Sequence, residues 1–311
     1  MEIYKMKDDL QGKIFDIRRF SIHDGDGIRT TIFFKGCNLK CPWCQNPEGI
    51  ENNDRVLFFK NKCINCGLCK SIDDNNLVSI EEGVRVLKTN KREEVQKYID
   101  ICPVNALAMD SKIYTVKELI KEIEKDKVFF DQGGGVTLSG GEALIQEEFV
   151  LKLLKALKKE NIHTAIETAA FVNKDMINSI IPYIDLIYVD LKLIDDKKHK
   201  KYIGVSNFII KENIKKLLTS SAKDKIIIRT PMIPRFTATS DNILGISKFI
   251  SDIYKDVKYE ILNYNPLAAA KYHLVDKTYC FRENPKMFSK KEMDLFYKLV
   301  YLGGVKNLIK E

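Results

Sequence analysis

At 311 residues the chain can hold one large domain or two smaller ones, and its apolar content of 45% is that of a globular protein. The formal charge of +8 is spread over Lys-rich stretches, densest at Lys197-Lys198-His199-Lys200-Lys201. Solvated helix faces are the default use of such charge, an acidic protein partner is a second, and no nucleic-acid-binding motif is visible. No run of 18 or more apolar residues occurs, and no apolar segment follows Met1-Glu2-Ile3-Tyr4-Lys5. The expectation is therefore a cytoplasmic protein with no membrane span and no leader.

Residues 1–12 read as a polar N-terminus. Strands are expected at Lys13–Arg18 and Thr30–Lys35, rich in Ile and Phe, with a turn-forming His23–Thr30 loop between them. The second strand leads into Cys37-Asn38-Leu39-Lys40-Cys41-Pro42-Trp43-Cys44. Eight cysteines in a cytosolic chain argue for metal or redox work rather than disulfides. Three thiolates at C-x3-C-x2-C spacing can hold three corners of a [4Fe–4S] cluster. No fourth cysteine stands nearby, so one iron is left open, and an open position usually means chemistry. A zinc knuckle would use two separated ligand pairs and fits this spacing poorly.

A second group follows, Cys63-Ile64-Asn65-Cys66-Gly67-Leu68-Cys69 with Cys102-Pro103 further on. Ferredoxins place Cys-Pro three residues after C-x2-C-x2-C, but Asp73 stands there, and Cys102 supplies the fourth ligand. The four make one complete [4Fe–4S] site; structural zinc is the alternative. A helix is expected over Lys91–Ile101 between the two groups. Cys280 is left over and reads as a packed or surface thiol.

From Tyr114 the rhythm changes. Thr115-Val116-Lys117-Glu118 is a capping box opening a helix with Leu119, Ile120 and Ile123 on one face. Helices are expected at Gln146–Glu160, Asn173–Ile184, Ile210–Thr219, Asp241–Ile253 and Ser289–Tyr301. Strands are expected at Val136–Ser139, His163–Thr168, Leu186–Leu191, Lys225–Thr230 and Lys258–Leu262. With the first strand these make six βα units, hence a parallel sheet covered by helices. Chemistry then belongs at the C-terminal strand ends. Gly140-Gly141-Glu142, Glu167-Thr168, Asp190-Leu191-Lys192 and Arg229 all stand there. Arg suits planar recognition of a carboxylate.

The cysteine loop, with Ser21-Ile22-His23-Asp24-Gly25-Asp26-Gly27-Ile28-Arg29-Thr30 before it and Asn46-Pro47-Glu48-Gly49 after it, resembles the glycyl-radical-enzyme activating enzymes of the radical S-adenosylmethionine (SAM) superfamily. The likeness runs from about Ile14 to the C-terminus. It implies a partial (β/α)6 radical SAM barrel in residues 13–50 and 113–311, with a small ferredoxin-like iron–sulfur domain inserted at 51–112. It implies that the His23–Thr30 loop lies over the cluster held by Cys37, Cys41 and Cys44.

SAM would chelate the open iron. Its methionine amino group would meet Gly140, Gly141 and Glu142, and its carboxylate would meet Arg229. Asp190, Lys192, Thr168 and Gln45 join the same binding set, with Trp43 toward the adenine and Asn265 toward the ribose. A flavodoxin or ferredoxin would deliver one electron. SAM would then be cleaved reductively to a 5′-deoxyadenosyl radical that takes a hydrogen from a glycine of a partner enzyme. Alternatives are another radical SAM enzyme acting on a small molecule or peptide, and an iron–sulfur electron carrier. The sequence names no particular partner.

Overall fold

A computed structural model describes residues 10–81, 84–89, 91–272, 275 and 277–310. The first nine residues of the N-terminal reading lie outside that set. A nine-stranded sheet forms the frame. Its strands are β1 (Gln11–Ser21), β2 (Arg29–Phe34), β7 (Lys112–Thr115), β8 (Gly135–Gly140), β9 (Thr164–Thr168), β10 (Leu186–Asp190), β11 (Ile226–Pro231), β12 (Lys258–Leu262) and β13 (Asn307–Ile309). The spatial order is β13-β12-β11-β10-β9-β8-β2-β1-β7. From β2 through β13 every neighbour is parallel, whereas β1 is antiparallel to both β2 and β7. Among the described residues β13 and β7 are the two edges of the sheet and do not pair with each other, so the barrel is partial. Its six parallel βα strands begin with β2 rather than with the first strand of the chain, and β13 adds a parallel strand at one edge.

Helices α3 (Val116–Glu124), α4 (Glu147–Lys159), α5 (Lys174–Ile180), α6 (Asp196–Ile203), α7 (Phe208–Thr219), α8 (Ser240–Ile253), α9 (Ala268–Tyr272) and α10 (Lys290–Leu302) complete the frame. Both α3 and α10 start on the expected capping boxes, at Thr115/Glu118 and Ser289/Glu292. The helix expected over Asn173–Ile184 is shorter. It ends at Ile180 and passes into a 3-10 turn over Ile181–Tyr183, because Pro182 lacks the N–H an α-helix needs. Helix α6, for which the sequence set no bounds, carries the lysine run on a solvated face and turns His199 and Ile203 inward.

The strands show why the frame has two different faces. Side chains alternate along a strand. Ile32, Val136, Leu138, Ile166, Ile187, Val189, Ile226 and Ile228 enter the main apolar core with the buried faces of the helices. The intervening Thr31, Thr137, Ser139, Glu167, Tyr188, Asp190 and Arg229 therefore occupy the opposite, concave face. One face stores the hydrophobic energy, and the other is polar toward its C-terminal end.

Residues between β2 and β7 hold their own small elements: β3 (Val56–Phe58) pairs with β6 (Leu107–Met109), and β4 (Val78–Glu81) with β5 (Val84–Leu87). Helices α1 (Leu68–Ser71) and α2 (Arg92–Asp100) accompany them. Helix α2 answers the expectation over Lys91–Ile101. A separate small core of Val78, Tyr98 and Leu107 sits here. Ionic clamps tie this segment to the sheet. Lys35, fully buried at the end of β2, donates to Asp110 at 2.6 Å and to the Glu48 carbonyl at 2.9 Å. Lys13 pairs with Asp54 at 3.1 Å, and Asp54 also holds Arg92 and the Ser111 hydroxyl. No described helix is long and apolar enough to cross a membrane.

Candidate active site

The cysteine loop is built on glycines. Gly141 donates to the Phe34 carbonyl and Glu142 to the Gly36 carbonyl, both at 2.8 Å. Gly36 in turn donates to Gly49 at 2.8 Å, and Cys37 to Ile50 at 2.9 Å. A Cβ on Gly141 would stand 2.1 Å from the Gly36 oxygen and 2.4 Å from the Gly49 oxygen. One on Gly140, whose φ is +114°, would stand 2.3 Å from the Phe34 nitrogen. The Gly-Gly-Glu stretch thus braces the turn from which the cysteine loop springs, which only residues without a Cβ allow. Gly141→Ala is expected to displace that turn: Tm falls, and iron incorporation at the loop falls with it, while Gly67→Ala, where a Cβ meets no neighbour within 4 Å, tests the backbone conformational penalty without packing.

Cys37, Cys41 and Cys44 share one apolar cluster with Leu39, Trp43, Ala169, Leu193, Ile203, Ile233, Tyr264 and Phe281. Cys37 Sγ accepts from the Leu39 N–H and Cys44 Sγ from the Asn46 N–H, each at 3.4 Å. Burial pushes all three thiols up, Cys41 to about 12, with Lys192 pulling Cys41 and Cys44 the other way. One buried and two half-buried thiols in an apolar cluster fit a polynuclear cation, which would supply the missing positive charge.

Beside the loop, the concave face gathers the predicted side chains. Glu142 is 1% exposed, and its carboxylate accepts from the Thr168 hydroxyl at 2.8 and 2.9 Å, the Ala169 N–H at 2.9 Å and the Leu144 N–H at 3.3 Å. Burial raises its pKa, and those bonds oppose the rise. Lys192 pairs with Asp190 at 2.7 Å. Burial alone draws the Lys192 ammonium down, but the Asp190 carboxylate outweighs it and holds it above its ordinary range. Arg229 meets Glu167 at 2.8 Å and Asp190 at 3.3 Å, with its guanidinium 4.4 Å from the Tyr188 ring centre. Burial pulls Arg229 down, but Glu167 and Asp190 lift it well above normal. Asp190 is held low because Lys192 and Arg229 overcome its own desolvation. The result is a fixed array of paired charges at the strand ends.

The other predicted residues stand differently. Trp43 is 3% exposed and packs on Phe236 at 4.8 Å, so its ring is a wall of the apolar cluster. Gln45 donates to the Asn265 carbonyl at 3.2 Å, which joins these two positions across the chain. Asn265 is exposed, and its side-chain oxygen accepts from the Leu267 N–H at 3.0 Å. The His23–Thr30 loop does not lie over the cysteines. It folds back at the start of β2 and β8, where Gly27 abuts Gly134, the Asp24 carboxylate accepts from Thr31, and the Asp24 carbonyl accepts from Thr137. Positive φ at Gly25 and Gly27 permits that reversal.

Between β2 and β7, Cys63, Cys66, Cys69 and Cys102 line one pocket with Phe58, Ile64, Leu68 and Leu107. The remote Cys102 is thus brought to the other three. Among the described residues no three His, Cys, Asp or Glu side chains converge tightly enough to chelate a single metal ion.

Several supports were not visible in the sequence. Glu167, expected at a strand end, holds Arg229, and Ser139, which the sequence did not single out, donates to Glu167; the period-two pattern of its strand was the available signal. Buried Asn207 and Asn242 had no local signal. Asn207 donates to the Leu193 and Ile194 carbonyls, each at 2.9 Å. Asn242 accepts from the Ile194 N–H at 2.8 Å and donates to the Lys192 carbonyl at 3.0 Å. Together they fix the backbone that presents Lys192. Tyr272 donates to the carbonyls of Cys44 and Pro42 at 3.2 and 3.3 Å, bracing the cysteine loop from the far side.

Fold and site define an α/β partial-barrel protein whose cysteine loop packs beside a charged network at the strand ends. The family profile described as the radical SAM superfamily matches residues 31–243. The chain is 35% identical over 310 residues to the indoleacetate decarboxylase activating enzyme of Tractidigestivibacter scatoligenes, covering 96% of this chain and 98% of that protein. It is 36% identical over 278 residues to the 4-hydroxyphenylacetate decarboxylase activating enzyme of Clostridioides difficile strain CD196, covering 87% of each. The structure of Streptococcus suis SuiB bound to precursor peptide SuiA aligns with a TM-score of 0.50 at 15% identity, over 88% of this chain and 46% of that one, a likeness of fold alone. The chain belongs to the radical SAM superfamily and, within it, to the glycyl-radical-enzyme activating enzymes.

Proposed function

We propose that the chain activates a glycyl radical enzyme where the Cys37–Cys44 loop meets the strand ends of β8 to β11. When bound, a [4Fe–4S] cluster and SAM supply the 5′-deoxyadenosyl radical that takes a hydrogen from the partner's glycine. The observation that carries the reading is the convergence of Glu142, Thr168, Asp190, Lys192 and Arg229 beside three cysteines. Cys37, Cys41 and Cys44 would ligate three irons. Glu142, braced by Gly140 and Gly141, and Arg229, held rigid by Glu167, would orient the zwitterionic end of SAM. Lys192 would stay protonated and fix Asp190. Gln45 and Asn265, joined across the chain, would border the nucleoside. Trp43 would seal the loop against water rather than stack on the adenine.

Cys63, Cys66, Cys69 and Cys102 would hold a second [4Fe–4S] cluster, which makes 51–112 a functional unit between the barrel segments 13–50 and 113–311. The pocket they share supports this. Iron and sulfide analysis is expected to give about eight of each per chain, falling to about four in Cys102→Ala. Four in the parent protein would sink the second cluster.

A flavodoxin or ferredoxin would be the reductant, in the cytoplasm. Relatives named as activating enzymes of indoleacetate decarboxylase, 4-hydroxyphenylacetate decarboxylase and isethionate sulfite-lyase are 35%, 36% and 33% identical. Identities this close select no one partner, so the test uses all three glycyl enzymes. Anaerobically reconstituted protein, dithionite and SAM are mixed with each, and 5′-deoxyadenosine and the glycyl radical signal are measured. Both are expected to rise together with one of them. Steady 5′-deoxyadenosine with no radical in any glycyl enzyme would favour a small-molecule or peptide substrate.

A further inference from the structure

The densest lysine run of the chain has a definite place in the fold. Helix α6 turns His199 and Ile203 inward; His199 is 1% exposed and its Nδ1 meets the Val205 carbonyl at 2.7 Å. Lys197, Lys198 and Lys201 are exposed on the outward face. The two acids of the helix start are already engaged. Asp195 accepts from the Lys198 N–H at 2.8 Å, and Asp196 takes Lys200 at 2.7 Å, the Ser206 hydroxyl and the Asn207 N–H.

The last turn of α6 is joined to the cysteine loop. The Lys40 N–H donates to the Ile203 carbonyl at 2.9 Å, and the Lys40 side chain lies over Gly204. Ile203 shares an apolar cluster with Leu39, Cys41 and Trp43. Tyr202 packs edge-on to Phe236, which packs on Trp43. Exposed Lys40, between Cys37 and Cys41, therefore extends the lysine face onto the cysteine loop itself.

We infer that Lys40, Lys197, Lys198 and Lys201 form the docking surface for an acidic one-electron carrier protein that reduces the iron–sulfur centre at Cys37–Cys44. The inference rests on the function proposed above. Electron transfer requires only that the donor come close to the cysteine loop, and this face is built onto it. A partner's glycine must instead reach the concave side of the sheet, where Arg229 and Lys192 stand, so the outer face of α6 suits the donor better. Opposite charge steers such encounters and fixes their orientation while contributing less to final affinity. In the step the donor is oxidised by one electron and the iron–sulfur centre is reduced by one; no bond forms or breaks. A second basic face, Lys60 and Lys62 near exposed Cys66, is the competing surface.

The test uses reconstituted holoprotein and a recombinant acidic flavodoxin. Its affinity is measured by calorimetry at low and moderate salt, for the parent, for Lys197→Glu/Lys198→Glu/Lys201→Glu and for Lys60→Glu/Lys62→Glu. Reduction rates with reduced flavodoxin and with dithionite are followed by absorbance. In the first variant affinity is expected to fall by on the order of tenfold and to lose most of its salt dependence. Its reduction by dithionite is expected to be unchanged, and the second variant is expected to bind flavodoxin like the parent. Unchanged affinity in the first variant, or loss only in the second, overturns the inference. Weakened binding of the glycyl enzyme with flavodoxin binding intact also overturns it and assigns α6 to the substrate enzyme. Flavodoxin binding is read without SAM, so it is separable from a failure to produce 5′-deoxyadenosine, which would count against the proposed function.

Discussion

Cys44→Ala is expected to abolish 5′-deoxyadenosine formation and to remove about four irons per chain, without touching any iron that the proposed second site at Cys63, Cys66, Cys69 and Cys102 holds. The loop offers three thiols and no fourth nearby ligand, so two would remain. Substitution also leaves Cys37 and Cys41 among Leu39, Trp43 and Ile203, where burial keeps their pKa values far above neutral. Two thiols leave two of the cluster's four irons without a protein ligand, so the cluster is expected to be lost rather than held at partial occupancy. Iron content, the reduced-state paramagnetic signal and product are measured on the same sample. Retention of product with the iron lost would move the chemistry away from this loop. Loss of all the iron would mean that the two cysteine groups are assembled as one unit.

Lys35→Met is expected to have the largest effect on stability. The Lys35 ammonium and the Asp110 carboxylate are 0% and 3% exposed and stand 2.6 Å apart. Removing one partner of a buried ion pair leaves an uncompensated charge and costs about 3–5 kcal/mol. Asp110 also accepts from the Arg55 N–H at 3.1 Å, and Lys35 holds the Glu48 carbonyl. The loss would therefore reach the insert and the turn that carries the cysteine loop together. Denaturant unfolding is expected to show the cost, and limited proteolysis is expected to cut first within 51–112. The double variant Lys35→Met/Asp110→Leu should recover much of it, since two apolar groups need no partner. If the single variant is as stable as the parent, the segment is anchored by Lys13–Asp54 and Lys277–Glu51 instead.

Much of this chain was legible in its sequence because the decisive signals are local. C-x3-C-x2-C on a loop after an apolar strand points to a metal site by its spacing. Capping boxes at Thr115 and Ser289 mark helix starts because the bonds they make span three residues. Alternating βα segments with short apolar strands fix a parallel sheet, since its two faces cannot otherwise be covered.

The tertiary structure decided what depends on contacts distant in sequence. It alone showed that Gly140 and Gly141 serve a backbone crossing against Phe34, Gly36 and Gly49. It turned Trp43 inward onto Phe236, and it sent the His23–Thr30 loop to the start of the strands. It bound Arg229 to Glu167 across 62 positions and Lys35 to Asp110 across 75. A carboxylate or an asparagine looks the same in sequence whether it faces water or a buried cation; only folding sets its burial and its partner, and with them its charge and orientation. The sequence by itself determined the βα frame and the family-bearing cysteine spacing, because thiol spacing and strand periodicity are properties of short segments. Which charges stand fixed at the strand ends, and which lysines border the cysteine loop, followed from the packing of β9, β10, β11 and α6.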